Sequence, residues 1–229
     1  MTAITWFGHS AFQLTCGDVS VLIDPFLAGN PTCPVSPDQI QAMDIVLVTH
    51  DHGDHCGQAA EICQRTGAML GAVVGTAEKF QASGLPAEQI FGGGGFNMGG
   101  TVEHKGVQVT MLPAFHTSES GTPVGYILTM PDGKRIYHAG DTCIFGDMAL
   151  WGHLYPLDVA LLPIGGFYTM DAFQAAMACK LLQCKKVIPM HWGTFPVLAQ
   201  STLPFRQELK RCAPSCLCID MQPNSTVTL

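Results

Sequence analysis

Seven consecutive residues, Thr49-His50-Asp51-His52-Gly53-Asp54-His55, bring three imidazoles and two carboxylates into six positions. Imidazole nitrogen and carboxylate oxygen are the donors that hold zinc, iron or manganese. Crowding so many titratable groups is unfavourable unless a cation offsets their desolvation and mutual repulsion. The bland alternative, a polar loop that happens to be rich in histidine, leaves that cost uncompensated. Directly before these residues stands Asp44-Ile45-Val46-Leu47-Val48, a short β-branched apolar run of the kind that forms a buried strand. The donors therefore fall on a loop at a strand end, a rigid place from which several side chains can converge on one point.

Three later segments repeat the arrangement. Residues 111–115 lead to His116, residues 136–139 to Gly140-Asp141-Thr142, and residues 187–190 to His191. Each reads as a strand that ends in a donor. With the first loop they give seven candidate ligands, His50, His52, Asp54, His55, His116, Asp141 and His191, on loops able to share one rim.

The remaining elements must hold that rim. Residues 2–6, 11–15 and 20–23 read as short strands, the last ended by Asp24-Pro25. Residues 36–42 read as a helix with Ser36 as N-cap and Pro37 at its first position. A helix is expected over 55–65, stopped by Gly67, then a strand over 69–74 and a helix over 76–82. Residues 91–100 contain six glycines but no following Gly-Lys-Ser/Thr, so a flexible hairpin or loop is expected rather than a phosphate cradle. Residues 101–104, 107–112, 124–130 and 134–137 read as antiparallel strands, with Pro131-Asp132-Gly133 as a hairpin turn. Strands over 158–162 and 186–189 and helices over 171–182 and 203–211 complete the pattern. Strands meander in both halves and no linker divides the chain. Two sheets face to face, covered by helices on their outer faces, in one domain over residues 1–229, is the expected architecture.

Bulk composition bounds the function. The 229 residues are 47% hydrophobic and 13% charged, enough for one well-buried core. The net charge is −7, and the 11 basic residues are scattered, paired only at Lys134-Arg135, Lys185-Lys186 and Lys210-Arg211. A protein tracking a phosphate backbone carries a basic stripe, so nucleic acid is not expected as a partner. No uninterrupted apolar segment reaches membrane-spanning length. The N-terminus lacks a basic region followed by an apolar stretch, and a cytoplasmic location is the expectation. Ten cysteines include no C-x-x-C pair and read mostly as small buried residues kept reduced. Cys212, Cys216 and Cys218 lie close together in sequence, but no histidine of suitable spacing joins them as a second metal site.

The pieces THDHGDH, His116, Gly140-Asp141-Thr142 and His191, in this order, resemble the metallo-β-lactamase superfamily over roughly residues 2–195. The resemblance implies an α+β fold, a four-layer αββα sandwich with a dinuclear metal site at one edge. Carried over position by position, it implies a first metal held by His50, His52 and His116. A second would be held by Asp54, His55 and His191, with Asp141 bridging and Asp24 supporting the histidine loop. Trp6-Phe7-Gly8-His9-Ser10 and Tyr168-Thr169-Met170-Asp171 are similar to segments of the branch with ascorbate-6-phosphate lactonase-like and uncharacterised metal-dependent hydrolases. The third ligand stands in Pro113-Ala114-Phe115-His116-Thr117 rather than in a Pro-Gly-His segment, which argues against glyoxalase II-like and lactamase-like activity.

The function expected is hydrolysis of a small anionic ester, lactone or phosphate ester. Water held between two divalent ions, zinc or alternatively manganese or iron, loses its proton near neutral pH, and the hydroxide attacks carbonyl carbon or phosphorus. Asp54 would orient that nucleophile, and His9 would contact substrate or donate a proton, a turn histidine being its bland alternative. Thr169 is expected to cap the helix over 171–182. Together with Gly165-Gly166 and Asp171 it would form an anion site beside the metals. The other classes to weigh are a nuclease or phosphodiesterase, a redox-active diiron protein and a metal-binding protein without turnover. A small molecule is the expected partner, and a homo-oligomer is left open.

Overall fold

The computed structural model describes residues 1–229. Thirteen strands form two sheets. In the first, β1 (Thr2–Trp6), β2 (Phe12–Cys16) and β3 (Val19–Ile23) pair antiparallel, and β4 (Ile45–Leu47) and β5 (Met69–Gly71) continue in parallel from β3. In the second, β6 (Thr101–His104), β7 (Val107–Pro113), β8 (Val124–Thr129) and β9 (Arg135–His138) form an antiparallel meander. The strands β10 (Val159–Pro163), β11 (Lys186–Met190) and β12 (Leu217–Cys218) then extend it in parallel. Finally β13 (Thr226–Thr228) returns to the first sheet, antiparallel to β1.

The alternation of β1 and β2 directs Ile4, Trp6, Phe12 and Leu14 into the space between the sheets, where they meet Val109, Met111, Leu128 and Ile188 of the second sheet. The outer face of the first sheet is covered by α2 (Ala59–Thr66) and α3 (Val74–Ala82), which bury Ile62, Cys63 and Ala77 on Leu22, Val46 and Leu70. The outer face of the second is covered by α4 (Met148–Leu154), α5 (Ala172–Leu182) and α6 (Leu203–Cys212), packed on Tyr137, Ala160, Leu162 and Val187. The order of layers is αββα, as expected for the metallo-β-lactamase type.

Three expectations differ in the structure. The helix over 36–42 is one 3₁₀ turn, Pro37–Gln39. The Arg65 guanidinium takes the carbonyls of Pro37 and Ile40, which a longer helix would use internally. The helix over 55–65 is broken into α1 (Gly53–Cys56) and α2 at Gly57, which adopts φ 41°. Gly57 lies against the Asp24-Pro25 turn so closely that a Cβ would stand 2.2 Å from the Pro25 carbonyl oxygen. The stretch 91–100 is tethered, with a 3₁₀ turn Phe91–Gly93, Phe91 buried, and backbone bonds from Phe96 to Ala72 and from Gly99 to Met111. The elements α4, β12 and β13 lie outside the pattern expected from sequence.

Candidate metal centre

The expected ligands lie on the segments that follow strand ends. His50 follows β4, His116 follows β7, Asp141 follows β9 and His191 follows β11, while Asp24 directly follows β3. His52, Asp54 and His55 come from the start of α1. Where parallel strands end, their loops converge outside the carboxyl edge of the sheet, and this delivers donors from distant parts of the chain to one place. The nitrogens of His50, His52 and His116 lie within 4.8 Å of one another. Donor atoms of His9, Asp54, His55 and His191 form a second such group. Asp141 stands between them: Oδ1 is 3.3 Å from His55 Nε2, and Oδ2 is 3.0 Å from His191 Nε2 and 3.6 Å from His116 Nε2.

The hydrogen bonds around the group fix which nitrogens face it. The fully buried Asp24 accepts from Thr49 N, from Thr49 Oγ1 and from His55 Nδ1, each at 2.8 Å. One proton of His55 is thereby held on Nδ1, which leaves Nε2 facing Asp141. The Thr49 hydroxyl spends its only proton on Asp24, so at 3.0 Å it accepts from His50 Nδ1. His50 Nε2 is then a lone pair, directed at His52 Nδ1 3.0 Å away. His55 Nε2 and Asp141 Oδ1 are buried without a hydrogen-bond partner, a cost that native interiors rarely leave uncompensated. Lone pairs pointing inward from imidazoles, with carboxylate oxygens among them, fit divalent cations of the zinc, manganese or iron type.

The electrostatics agree with this orientation. Burial lowers the pKa of His50 to about 3 and that of His9 to about 4, and burial also lowers His116. These rings are neutral, as ligation requires of His50 and His116. For His55, burial opposes charge, but the carboxylates of Asp141 and Asp24 outweigh it and raise its pKa well above the usual value. Burial likewise opposes the ionisation of Asp141, and His191 and His55 overcome it. The His55 proton sits where a cation would.

Three residues of the site, His9 (φ 53°), Asp24 (φ 47°) and His191 (φ 57°), occupy the left-handed backbone region. Such conformations cost about 1–2 kcal/mol for a residue other than glycine and gather at functional sites. Gly165 lets the His191 loop close, since a Cβ there would meet the His191 carbonyl oxygen at 2.5 Å.

Three side chains stand elsewhere than the sequence suggested. His9 is fully buried and does not line the cavity. Its Nε2 lies 3.2 Å from Asp54 Oδ2, its Nδ1 lies 3.0 Å from Thr194 Oγ1, and its ring rests against His191. It supports Asp54 from behind. Asp171, not Thr169, caps α5, its carboxylate accepting from Gln174 N at 2.8 Å. The helix N-terminus is thus occupied by its own carboxylate. Gly165, Gly166 and Asp171 line a separate cavity with Leu198 and Phe205. Thr169 is buried with its hydroxyl unpartnered.

Comparison with known proteins places this geometry. The sequence profile of the β-lactamase superfamily domain matches residues 3–191, a span that contains every donor described above. The chain belongs to the metallo-β-lactamase superfamily. Within it, the chain is 59% identical over 228 residues to a UPF0173 metal-dependent hydrolase of Nitratidesulfovibrio vulgaris (strain DP4), covering 100% of this chain and 95% of that protein. A UPF0173 metal-dependent hydrolase of Methanopyrus kandleri is 43% identical over 97% of this chain and 98% of its own length. Among solved structures it is similar to Igni18, a metallo hydrolase from the archaeon Ignicoccus hospitalis, with a TM-score of 0.89, 37% identity and coverage of 99% and 97% of the two chains. The protein is a metal-dependent hydrolase of the metallo-β-lactamase fold.

One residue of the superfamily's histidine loop has a part that the ligand pattern alone does not assign. Asp51 points away from the ligands. Its carboxylate accepts from Ser118 Oγ, Glu119 N, Ser120 N, Ser120 Oγ and Lys79 Nζ, all at 2.7–2.9 Å. Burial opposes its ionisation, but the Lys79 ammonium and the serine hydroxyls hold its pKa far below the usual range. It clamps the loop that follows His116 onto the loop that carries His50 and His52. Adjacent residues of an extended segment face opposite ways, so an aspartate between two ligands is directed outward, and that signal was present in the sequence.

Proposed function

We propose that the chain holds two divalent cations and hydrolyses a small anionic ester, lactone or phosphate ester. The observation that carries the dinuclear reading is the position of Asp141, whose Oδ2 lies between His191 of one group and His116 of the other while its Oδ1 lies beside His55. His50, His52 and His116 would hold one ion and Asp54, His55 and His191 the other, with Asp141 shared between them. When bound, such ions acidify water and polarise an ester or phosphoryl oxygen.

The chain's own residues shape the rest. The cavity at the site is about 230 Å³ and is lined by His52, Asp54, His116, Thr117, Asp141, Tyr168 and His191. It is smaller than the roughly 300–1,000 Å³ of sites for drug-sized ligands, which favours a small substrate. No lysine or arginine is among these residues, so a substrate's negative charge would be balanced at the cations. Asp54, held by His9, is the carboxylate placed to orient water. Thr117 and Tyr168 are the hydroxyl-bearing residues of the lining.

Elemental analysis of protein purified without chelator, paired with rates on phosphate esters, lactones, simple carboxylic esters and a β-lactam, tests this reading. Two ions per chain and faster turnover of anionic esters or lactones than of the β-lactam are expected. A firm value of one ion, unmoved by added zinc, manganese or iron, overturns the dinuclear reading. Preference for the β-lactam overturns the substrate class.

A further inference from the structure

Folding gathers three cysteines that the sequence scatters. Cys179 is on α5, Cys184 is in the turn between α5 and β11, and Cys216 lies just before β12. All three are buried, and their sulfurs lie within 4.8 Å of one another, with Cys184 Sγ and Cys216 Sγ 3.6 Å apart. Of the run Cys212, Cys216 and Cys218, only Cys216 takes part. A cation about 2.3 Å from each of three sulfurs in one plane would space them about 4 Å apart, close to the spacing already present. The group lies on the outer face of the second sheet, in a part of the fold separate from the histidine centre. It adjoins a cavity of about 370 Å³ whose lining includes Lys180, Gln183 and Cys212, and this gives an ion an entry path.

We propose that Cys179, Cys184 and Cys216 form a second metal site, distinct from the histidine centre, that takes a thiophilic monovalent cation of the copper(I) class. Three sulfurs without a fourth donor in the group disfavour zinc, whose structural sites are closed by four ligands, and suit the softer ion. On ligation each thiol gives up its proton to solvent, and no electron is transferred.

The test uses the full chain, reduced, anaerobic and with its histidine centre loaded with zinc. Copper(I) is offered from a coloured chelator, and the chelator's absorbance reports how much the protein retains. One equivalent per chain is expected in the wild type and in Cys143→Ser, whose cysteine is exposed. Loss of that equivalent is expected in Cys184→Ala and in Cys216→Ala. No retention by the wild type, or retention unchanged by both substitutions, overturns the proposal. Retention of zinc(II) in preference to copper(I) overturns the assigned ion. If the variants do not fold, alkylation of the wild type read by mass spectrometry decides. With alkylation slow enough that the thiols of the ion-free protein react through opening of the fold, slower labelling of Cys179, Cys184 and Cys216 with copper(I) is expected, and equal labelling rates overturn the site.

Discussion

His55 depends on a residue 31 positions earlier in the chain. Its Nδ1–H is fixed by Asp24, and that bond is what turns Nε2 toward the centre. An asparagine side chain in place of Asp24 tolerates the left-handed backbone but offers an N–H as readily as an oxygen, so the tautomer is no longer held. Asp24→Asn is therefore expected to weaken metal affinity by about 10–100-fold while the far-ultraviolet dichroism is unchanged, as read by competition with a chelator. Unaltered affinity would remove Asp24 from the site. His9 raises a different question, since it touches Asp54 and also belongs to a group of potential ligands. As a support for Asp54, its loss in His9→Ala should reduce turnover by about 10–100-fold with two ions still bound. Loss of an ion would instead make His9 a ligand, and unchanged kinetics would leave it a turn histidine. The seven candidate ligands were legible in the sequence because each of the four segments that carry them follows an apolar run. The place of His9 was not, because its contacts with Asp54 and Thr194 span 45 and 185 residues and exist only once both sheets have packed.

Elements carry the site by ending where they do, and Gly57 shows how strict that is. It ends α1 against the Asp24-Pro25 turn, so a side chain there must displace Pro25, the neighbour of the residue that orients His55. Gly57→Ala should destabilise the protein by about 1–3 kcal/mol in urea unfolding and also lower its metal content. Gly67, which ends α2 at φ 77° with open space around it, provides the control. Gly67→Ala should cost about 1–2 kcal/mol and leave the metals in place. Equal metal content in the two variants would show that the break at Gly57 is not coupled to the centre. The strands β7 to β11 could be read from sequence to within a residue or so, because buried parallel and meander strands are continuous apolar runs. The strands β12 and β13, of two and three residues, are too short to show any period, and pairing alone defines them. The break at Gly57 was hidden for another reason: the 55–65 pattern is helical, and only the approach of Pro25 interrupts it.

At the scale of the whole molecule, two carboxylates latch the sheets together away from the metals. Asp132, in the turn between β8 and β9, accepts from Thr2 N and Thr2 Oγ1 of β1, both at 2.7 Å. Asp44, ahead of β4, accepts from Ser20 N at 2.8 Å and pairs with Lys105 in the turn between β6 and β7. Burial opposes ionisation of both. The Thr2 donors outweigh it at Asp132, as do Lys105 and Ser20 at Asp44, so both pKa values are lowered. A carboxyl with a folded pKa below its unfolded value, about 3.9, binds its proton more readily when unfolded. Its contribution is complete above that value and is lost as pH falls through the folded pKa. At about 1 kcal/mol each, the pair contributes about 4–8 °C of Tm in a chain of this length. The double variant Asp44→Asn, Asp132→Asn should melt lower than wild type by that amount near pH 7, both proteins carrying the same metals. The gap should narrow as pH falls below about 4, because protonation in the wild type then removes what the substitutions removed. Titration of the metal ligands is common to both proteins and cancels in the difference. A gap that stays constant across the acid range would mean that the latches act through packing or neutral hydrogen bonds rather than through the charge of the two aspartates.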